Sequence, residues 1–425
     1  MTPRSVTVVG ASLAGIRAAE ALRRDGFDGP ITLIGDELHA PYDRPPLSKQ
    51  FLAGDWGEDR LALTQPDKFD DLDLELRLGV RAVSFDLASR RLGIVDLDDQ
   101  GGSGGGDPGG GLNLGRSGGQ GGEELVVDGL LIATGARCRT LRGSEGLDGV
   151  FVLRSLDDSL AIRAAFDAGP VRVVVVGAGF IGAEVAATAR TLGLEVTMIE
   201  SLPQPLSRVL GVEMGAVCAE LHREHGVDLR TGVGVEAIEG DGRVERVRLS
   251  DGSVIEADVV VVGIGVVPNT EWLEGSGLGI DNGVVCDATC LAAPGVTAAG
   301  DVARWPNQRF GEVMRVEHWD NAVVQGAHAA RRLLVGDDEA EPFVPVPWFW
   351  SDQYDRKIQM AGRIGPDDEM HVATGSLAER RFAAVYGRAG RLVGVLGFNR
   401  PRHVMRYRML IESGTTFEDA VAADF

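Results

Sequence analysis

Lysine is nearly absent from this chain. Only positions 49, 68 and 357 carry it, and the remaining 39 of the 42 basic residues are arginine. Acidic residues number 63, so the formal charge is −21 and a nucleic-acid footprint is not expected. Long hydrophobic runs are missing as well. The apolar stretch 259–267 is far shorter than the roughly 20 residues that cross a bilayer, so no membrane partner is expected. Cysteine is scarce: Cys138, Cys218, Cys286 and Cys290 form no CxxC pair. The spacing of Cys286 and Cys290 leaves a metal or redox pair open, but small buried thiols in a reducing compartment are the simpler reading, and no metal site is expected. Met1-Thr-Pro-Arg4 leads straight into an apolar segment. A secretory leader is therefore not expected, and a cytoplasmic location is.

What is abundant is glycine, in two places where it repeats a pattern. The first organises the chain. An apolar strand at 171–176 runs into Gly177-Ala-Gly179-Phe-Ile-Gly182, a helical pattern containing Glu184 follows, and the next strand, 195–199, ends on Glu200. Such spacing suits a dinucleotide. Gly177 makes the tight turn, Gly179 admits a pyrophosphate to the backbone, and Gly182 lets helix and strand close up. The helix N-terminus offers N–H groups to phosphate, and Glu200 can accept both hydroxyls of an adenosine ribose. The second pattern lies near the N-terminus. A strand at 5–9 runs into Gly10-Ala-Ser12-Leu-Ala14-Gly15, and a strand at 31–34 is followed by Gly35, Asp36 and Glu37. Ser12 replaces the middle glycine. Two such units imply two dinucleotides, and the economical pair is a flavin and a nicotinamide.

Between and beyond these units the texture changes. Ala40-Pro-Tyr-Asp-Arg44-Pro-Pro-Leu-Ser-Lys49 is a rigid corner opening a short helix. Lys49 there is either a solvated surface lysine or a placed charge, and Arg44 can reach a pyrophosphate. Strands are expected at 74–85, 91–97 and 124–132, the last leading into Ala133-Thr134-Gly135. Residues 101–122 hold glycine at 13 of 22 positions, which reads as a flexible insertion without a chemical role. A helix is expected at 211–225, then strands near 228–231, 235–239, 244–250 and 254–262. Further on come Ala299-Gly300-Asp301, where an acid at a strand-to-helix turn can hold a polyol hydroxyl, and Glu317-His318-Trp319, opening a helix. A mainly β C-terminal part begins near 337 and carries Trp348-Phe349-Trp350-Ser351-Asp352-Gln353-Tyr354. Arg304, Arg309, Arg315, Arg331, Arg332, Arg356 and Lys357 are cations of this half, either a docking patch for a partner or a solvated face.

Taken together, Pro45-Pro-Leu-Ser-Lys49, Ala133-Thr-Gly135, Gly177-Ala-Gly-Phe-Ile-Gly-Ala-Glu184, Ala299-Gly-Asp301, Glu317-His-Trp319 and the Trp348–Tyr354 motif resemble the FAD-dependent, NADH-using ferredoxin reductases of bacterial oxygenase and cytochrome P450 systems. The motifs span nearly the whole chain in that family's order, and the last lies outside the dinucleotide folds. The resemblance implies an α/β protein with two Rossmann-like dinucleotide-binding domains of the glutathione-reductase-like type and a C-terminal α+β domain. Expected boundaries are 1–149 with 265–334 for FAD, 150–264 for NAD and 335–425 for the C-terminal domain. It implies FAD at Gly10, Ser12, Ala14, Gly15, Asp36, Arg44, Lys49, Ala82, Ala133, Thr134, Gly135, Arg154, Gly300, Asp301 and Trp319. It implies NADH at Gly177, Gly179, Gly182, Glu184 and Glu200, and catalytic parts for Lys49, Glu184 and Trp319. Lys49 would stabilise the reduced flavin, and Glu184 would pair with it and line the nicotinamide site; a helix-start acid favoured by the dipole is the other reading of Glu184, and both roles can hold at once.

The implied activity is hydride transfer from NADH to FAD and single-electron transfer to a [2Fe–2S] ferredoxin, by a monomer or weak homodimer. With no cysteine before Cys138, electron flow through a disulfide beside the flavin is excluded. Two rivals stay open. One is direct reduction of a small acceptor such as a quinone, monodehydroascorbate or oxygen. The other is a redox-sensing protein that binds FAD and NADH without fast turnover.

Overall fold

The computed structural model describes residues 2–64, 66–97, 122–169 and 171–425. The expected insertion at 101–122 thus lies, but for Gly122, outside the described residues. The described chain forms two compact units. One comprises Met1–Asp43, Leu61–Arg137 and Val267–Pro345; the other comprises Arg44–Arg60, Cys138–Val266 and Val346–Phe425.

The first unit is built on a six-stranded sheet in the order Leu291–Ala293, Val296–Ala298, Gly129–Ile132, Val6–Val9, Ile31–Ile34, Glu75–Arg77. All neighbours are parallel except the first pair. Val6–Val9 is buried along its whole length, as a strand covered on both faces must be. Helix Leu13–Arg24 makes the crossover to Ile31–Ile34 and packs on helix Trp319–Leu334. A three-stranded antiparallel meander, Val80–Asp86, Arg91–Asp96 and Gly122–Val126, completes the core.

The second unit repeats the plan. Its five-stranded parallel sheet runs Asp228–Thr231, Glu195–Glu200, Arg172–Val176, Val259–Val262, Val150–Val152, with helix Phe180–Thr191 as the first crossover. The C-terminal part is a five-stranded antiparallel sheet, Trp348–Gln353, Arg356–Gly362, Arg391–Phe398, Arg381–Arg388, Glu369–Ser376, backed by helix Pro401–Glu412. Helix Ser207–Glu224 shares a core with that sheet, through Leu210, Met214 and Cys218 against Phe349, Ile358 and Phe398.

Several expected elements are corrected. The run 124–132 is two strands of different sheets, Gly122–Val126 and Gly129–Ile132, and 254–262 likewise splits into Val254–Glu256 and Val259–Val262. The cause is the same in both. Asp128 and Asp258 lie between the two halves and accept a backbone N–H from the arginine that precedes or opens the strand leading into each glycine-rich loop, Arg4 at 2.6 Å and Arg172 at 2.8 Å. The run 74–85 breaks after Arg77, where Gly79 takes a φ of 68°. The helix expected from 211 starts one turn earlier, at Ser207, with a kink at Gly211 (φ 79°, ψ 168°).

A pair of dinucleotide loops and a buried polar cluster

The two glycine-rich loops are built on the same backbone contacts. A Cβ at Gly10 would sit 2.1 Å from the Ala133 carbonyl oxygen; one at Gly177 would sit 2.4 Å from that of Gly263. A Cβ at Gly15 would meet the Gly10 carbonyl oxygen at 2.0 Å, and one at Gly182 would meet that of Gly177 at 2.0 Å. At the middle position the constraint vanishes: a Cβ at Gly179 would meet no protein atom within 4 Å. Ser12 therefore fits its loop without strain, with extended backbone at φ −110°. Open space above a close-packed turn is what a pyrophosphate needs.

Charge agrees with shape. Neither helix that follows these loops has an acid in its first turn. Helix Leu156–Asp167, by contrast, is closed by a Ser155–Asp158 capping box with Asp157 beside it. Both loops thus present helix N-termini suited to an anion. Glycine-to-alanine variants should separate the roles. Gly182→Ala is expected to abolish folding or dinucleotide binding. Gly179→Ala should keep thermal stability within about 1 kcal/mol while raising the KM for NADH about tenfold or more. Equal destabilisation by both, measured in urea, would contradict this.

The acids after the second strands are not equivalent. Gly177 N–H donates to Ile199 O and Gly10 N–H to Ile34 O, so Gly35 occupies the place that Glu200 has in the second unit. Asp36 is one residue further, exposed and 3.4 Å from Arg81. Glu200 is half-buried, and each of its oxygens accepts a backbone N–H, Ala178 at 3.0 Å and Leu202 at 2.8 Å.

In the first unit Ala133, Thr134 and Gly135 are locked by Asn269, which the sequence reading did not single out. Thr134 Oγ1 donates to Asn269 O and Asn269 Nδ2 to Thr134 O, both at 2.9 Å, and Asn269 N–H donates to Gly135 O at 3.0 Å. Gly300 N–H donates to the buried Gln325 Oε1 at 3.0 Å, and a Cβ at Gly300 would touch Ala14 Cβ. Trp319 Nε1 donates to Asp43 at 2.7 Å. Asp301 O accepts from Arg315, and Ala82 lies buried in its strand.

In the second unit Arg44 Nη1 donates to Arg154 O at 2.6 Å. The turn Pro45–Ser48 is gripped through its carbonyls: Ser159 Oγ donates to Leu47 O at 2.7 Å and Thr188 Oγ1 to Ser48 O at 2.8 Å. This places Lys49, whose Nζ lies 2.8 Å from Glu184 Oε2, with side chains only 10% and 3% exposed. Glu184 is thus a buried, paired acid one turn inside the helix. Its Oε2 also accepts from Ser48 Oγ at 2.5 Å, and its Oε1 accepts from Ser351 Oγ at 2.7 Å. Ser351 comes from the Trp348–Gln353 strand, whose burial alternates so that Phe349, Ser351 and Gln353 point inward. Nothing in the sequence near Glu184 signals Ser351, which is 167 residues away.

The polar cluster continues. Gln353 Nε2 donates to Ser351 Oγ at 3.1 Å, and His222 bonds Gln353 Oε1 and the Tyr354 hydroxyl, each at 3.1 Å. Burial pushes the His222 imidazole down to about 4 from 6.5, against its hydrogen bond with Gln353. The folded state therefore prefers the neutral ring. Its contribution is present in full above pH 6.5 and is lost as pH falls toward 4. Stability is expected to drop by roughly 2 kcal/mol between pH 7 and 5 from this residue. Urea midpoints at the two pH values should converge in His222→Gln; an unchanged difference would show that the acid sensitivity lies elsewhere.

The cations of the C-terminal half do not form a bare patch. Arg315 pairs with Glu317 at 2.7 Å, Arg331 with Asp25 at 3.1 Å, Arg356 with Asp355 at 2.6 Å and Lys357 with Asp352 at 2.8 Å. Arg304 and Arg332 pair with Asp281 and Asp337. Arg309 donates to Val344 O. The four cysteines carry no disulfide. Burial raises the Cys218 and Cys286 thiols to about 12 and that of Cys290 further. Among the described residues no helix is long and apolar enough to cross a membrane.

Two dinucleotide loops, each opening a helix with no acid in its first turn, define a flavin- and nicotinamide-dependent oxidoreductase. Residues 4–326 match the family described as pyridine nucleotide-disulphide oxidoreductase, and residues 348–425 match the one described as reductase C-terminal. The chain belongs to the pyridine nucleotide-disulphide oxidoreductase family, and it is an FAD- and NADH-dependent enzyme of the ferredoxin-reductase type. It is 38% identical to rhodocoxin reductase of Rhodococcus erythropolis, over 99% of this chain and 93% of that protein. Against putidaredoxin reductase CamA of Pseudomonas putida the identity is 33%, over 99% and 94%. A chain in the crystal structure of the covalent putidaredoxin reductase–putidaredoxin complex superposes with a TM-score of 0.88 at 31% identity, covering 100% of this chain and 97% of that one.

Proposed function

We propose that this enzyme takes hydride from NADH onto FAD and passes single electrons to a [2Fe–2S] ferredoxin that serves a cytochrome P450 or a Rieske oxygenase, in the cytoplasm. The observation that carries the reading is the reductase C-terminal match over residues 348–425. That segment lies outside the dinucleotide loops, yet it delivers Ser351 to Glu184. FAD, when bound, supplies the conversion of a two-electron donor into one-electron steps.

The chain's own residues divide the remaining work, over functional domains bounded as read from the sequence: 1–149 with 265–334, 150–264, and 335–425. In the first unit Gly10, Ser12, Ala14 and Gly15 admit the FAD pyrophosphate. Asp36, Ala82, Ala133, Thr134, Gly135, Gly300, Asp301 and Trp319 complete that unit's part. In the second unit Gly177, Gly179 and Gly182 admit the NADH pyrophosphate and Glu200 accepts from its ribose, while Arg44 and Arg154 supply positive charge for FAD. Lys49 would supply the positive charge that favours a reduced, anionic flavin, and Glu184 holds that cation in place.

The test is steady-state NADH oxidation with ferricyanide, with cytochrome c plus added [2Fe–2S] ferredoxin, and with quinone or oxygen. Ferredoxin-dependent cytochrome c reduction supports the reading. Fast turnover with quinone and none through ferredoxin assigns a small acceptor instead. A long-lived FAD–NADH complex with negligible turnover assigns a sensor.

A further inference from the structure

The cluster that ends on Glu184 has a direction. Ser351 Oγ lies within hydrogen-bond reach of both Glu184 Oε1 (2.7 Å) and Gln353 Nε2 (3.1 Å). A carboxylate oxygen only accepts and an amide nitrogen only donates, so the Ser351 hydroxyl donates to Glu184 and accepts from Gln353. Gln353 then turns its Oε1 to His222 Nε2, which must carry the proton. His222 Nδ1 is left as an acceptor, and the Tyr354 hydroxyl donates to it. Every bond in the series Tyr354, His222, Gln353, Ser351 is donated toward the Glu184 carboxylate. Hydrogen bonds aligned in series polarise one another.

The setting argues against an accident of packing. Ser351 and Gln353 are fully buried and His222 is 1% exposed. They lie where the strand and helix Ser207–Glu224 otherwise meet through apolar side chains. Polar groups in such a place are costly unless satisfied, and replacing them all by apolar ones would be simpler. At the far end Tyr354 sits in the two-residue hairpin turn between strands Trp348–Gln353 and Arg356–Gly362, with the positive φ (55°) such a turn uses, and its ring stacks on His225 at 3.6 Å between centroids. Burial also raises the Tyr354 phenol, so its hydroxyl keeps its proton to donate.

We propose that Tyr354, His222, Gln353 and Ser351 are positioning residues for hydride transfer: a one-way hydrogen-bond relay that fixes the Glu184 carboxylate and, through it, the Lys49 ammonium. The inference rests on the reading that Lys49 acts on the reduced ring, but the relay has a readout of its own. Because lysine occurs only at 49, 68 and 357, the FAD-loaded protein labelled with carbon-13 at lysine Cε gives three lysine signals. Lys68→Arg and Lys357→Arg assign them.

Ser351→Ala and His222→Phe should each shift or broaden the Lys49 signal and leave the other two unmoved, and His222→Gln should keep it near its wild-type position. In stopped flow the limiting rate of flavin reduction by NADH should fall about threefold to tenfold in Ser351→Ala, less in His222→Phe and least in Tyr354→Phe, with FAD content retained. Such a gradient along the relay is not produced by loosened packing. Should His222→Phe not fold, Ser351→Ala and Tyr354→Phe carry the same comparison. A Lys49 signal and a reduction rate both at wild-type values in Ser351→Ala would overturn the relay. A displaced Lys49 signal with an unchanged reduction rate would leave the hydrogen-bond relay to Lys49 standing but overturn its part in hydride transfer, and would remove Lys49 from the reaction.

Discussion

Replacing Glu184 by leucine is expected to destabilise the FAD-loaded enzyme by about 3–5 kcal/mol, because it leaves the Lys49 ammonium buried without its partner. The same substitution made together with Lys49→Met should recover part of that loss. Two apolar side chains of similar volume remove the unpaired charge, but they leave the Ser48 and Ser351 hydroxyls without the acceptor they now share. Each orphaned hydroxyl costs about 1–3 kcal/mol unless it finds another partner, so recovery will be incomplete. Activity should not follow stability. Both the single and the double variant lack the cation–carboxylate pair as arranged here, and flavin reduction by NADH should be slower by about two orders of magnitude or more in each. Urea unfolding and single-turnover reduction measure the two effects separately. A double variant that regains stability and also reduces flavin at the wild-type rate would show that the pair is structural only.

How much of this was legible in the sequence depends on how local each feature is. The two loops were, because each is a strand, a glycine turn and a helix within about 20 residues, and the backbone contacts that demand glycine at 15 and 182 are made to residues five positions back. A placed charge at Lys49 was anticipated from the rigid proline corner before it, and its pairing with Glu184 from family resemblance, with no pattern in between. Its supporting groups were not. Ser48 and Ser351 stand inside resemblance motifs that assign them no role, His222 stands in none, and the links they make span 131 to 167 residues. Apolar periodicity also failed where a run changes sheet. Residues 124–132 and 254–262 read as single strands because both halves are apolar, and only Asp128 and Asp258, anchored to Arg4 and Arg172, mark the change. The excess of arginine near the C-terminal half suggested a positive surface. Counting cations missed the acids that pair with Arg304, Arg315, Arg331, Arg332, Arg356 and Lys357.

The wild-type enzyme should prefer NADH over NADPH by roughly two to three orders of magnitude in kcat/KM, since a 2′-phosphate beside Glu200 meets a like charge at a cost of several kcal/mol. The residues that follow, Ser201-Leu-Pro-Gln204, supply no arginine to reverse this. Glu200→Ser with Ser201→Arg should therefore move the ratio toward NADPH by two orders of magnitude or more. The structure adds a condition. Glu200 ties the glycine-rich loop to the strand through Ala178 N–H, and ties the following turn through Leu202 N–H. Serine is too short to hold both. The double variant should accordingly lose kcat/KM with NADH by more than charge alone predicts, and its best NADPH rate should remain below the wild-type NADH rate. Glu200→Gln separates the two contributions: it removes the charge while keeping one acceptor oxygen for the loop. It should relax discrimination by about two orders of magnitude, with some loss of NADH activity because its amide nitrogen then faces one of the two backbone N–H donors, a loss smaller than in the double variant. Comparable kcat/KM for the two cofactors in the wild type would remove Glu200 from the ribose site, whatever the variants do.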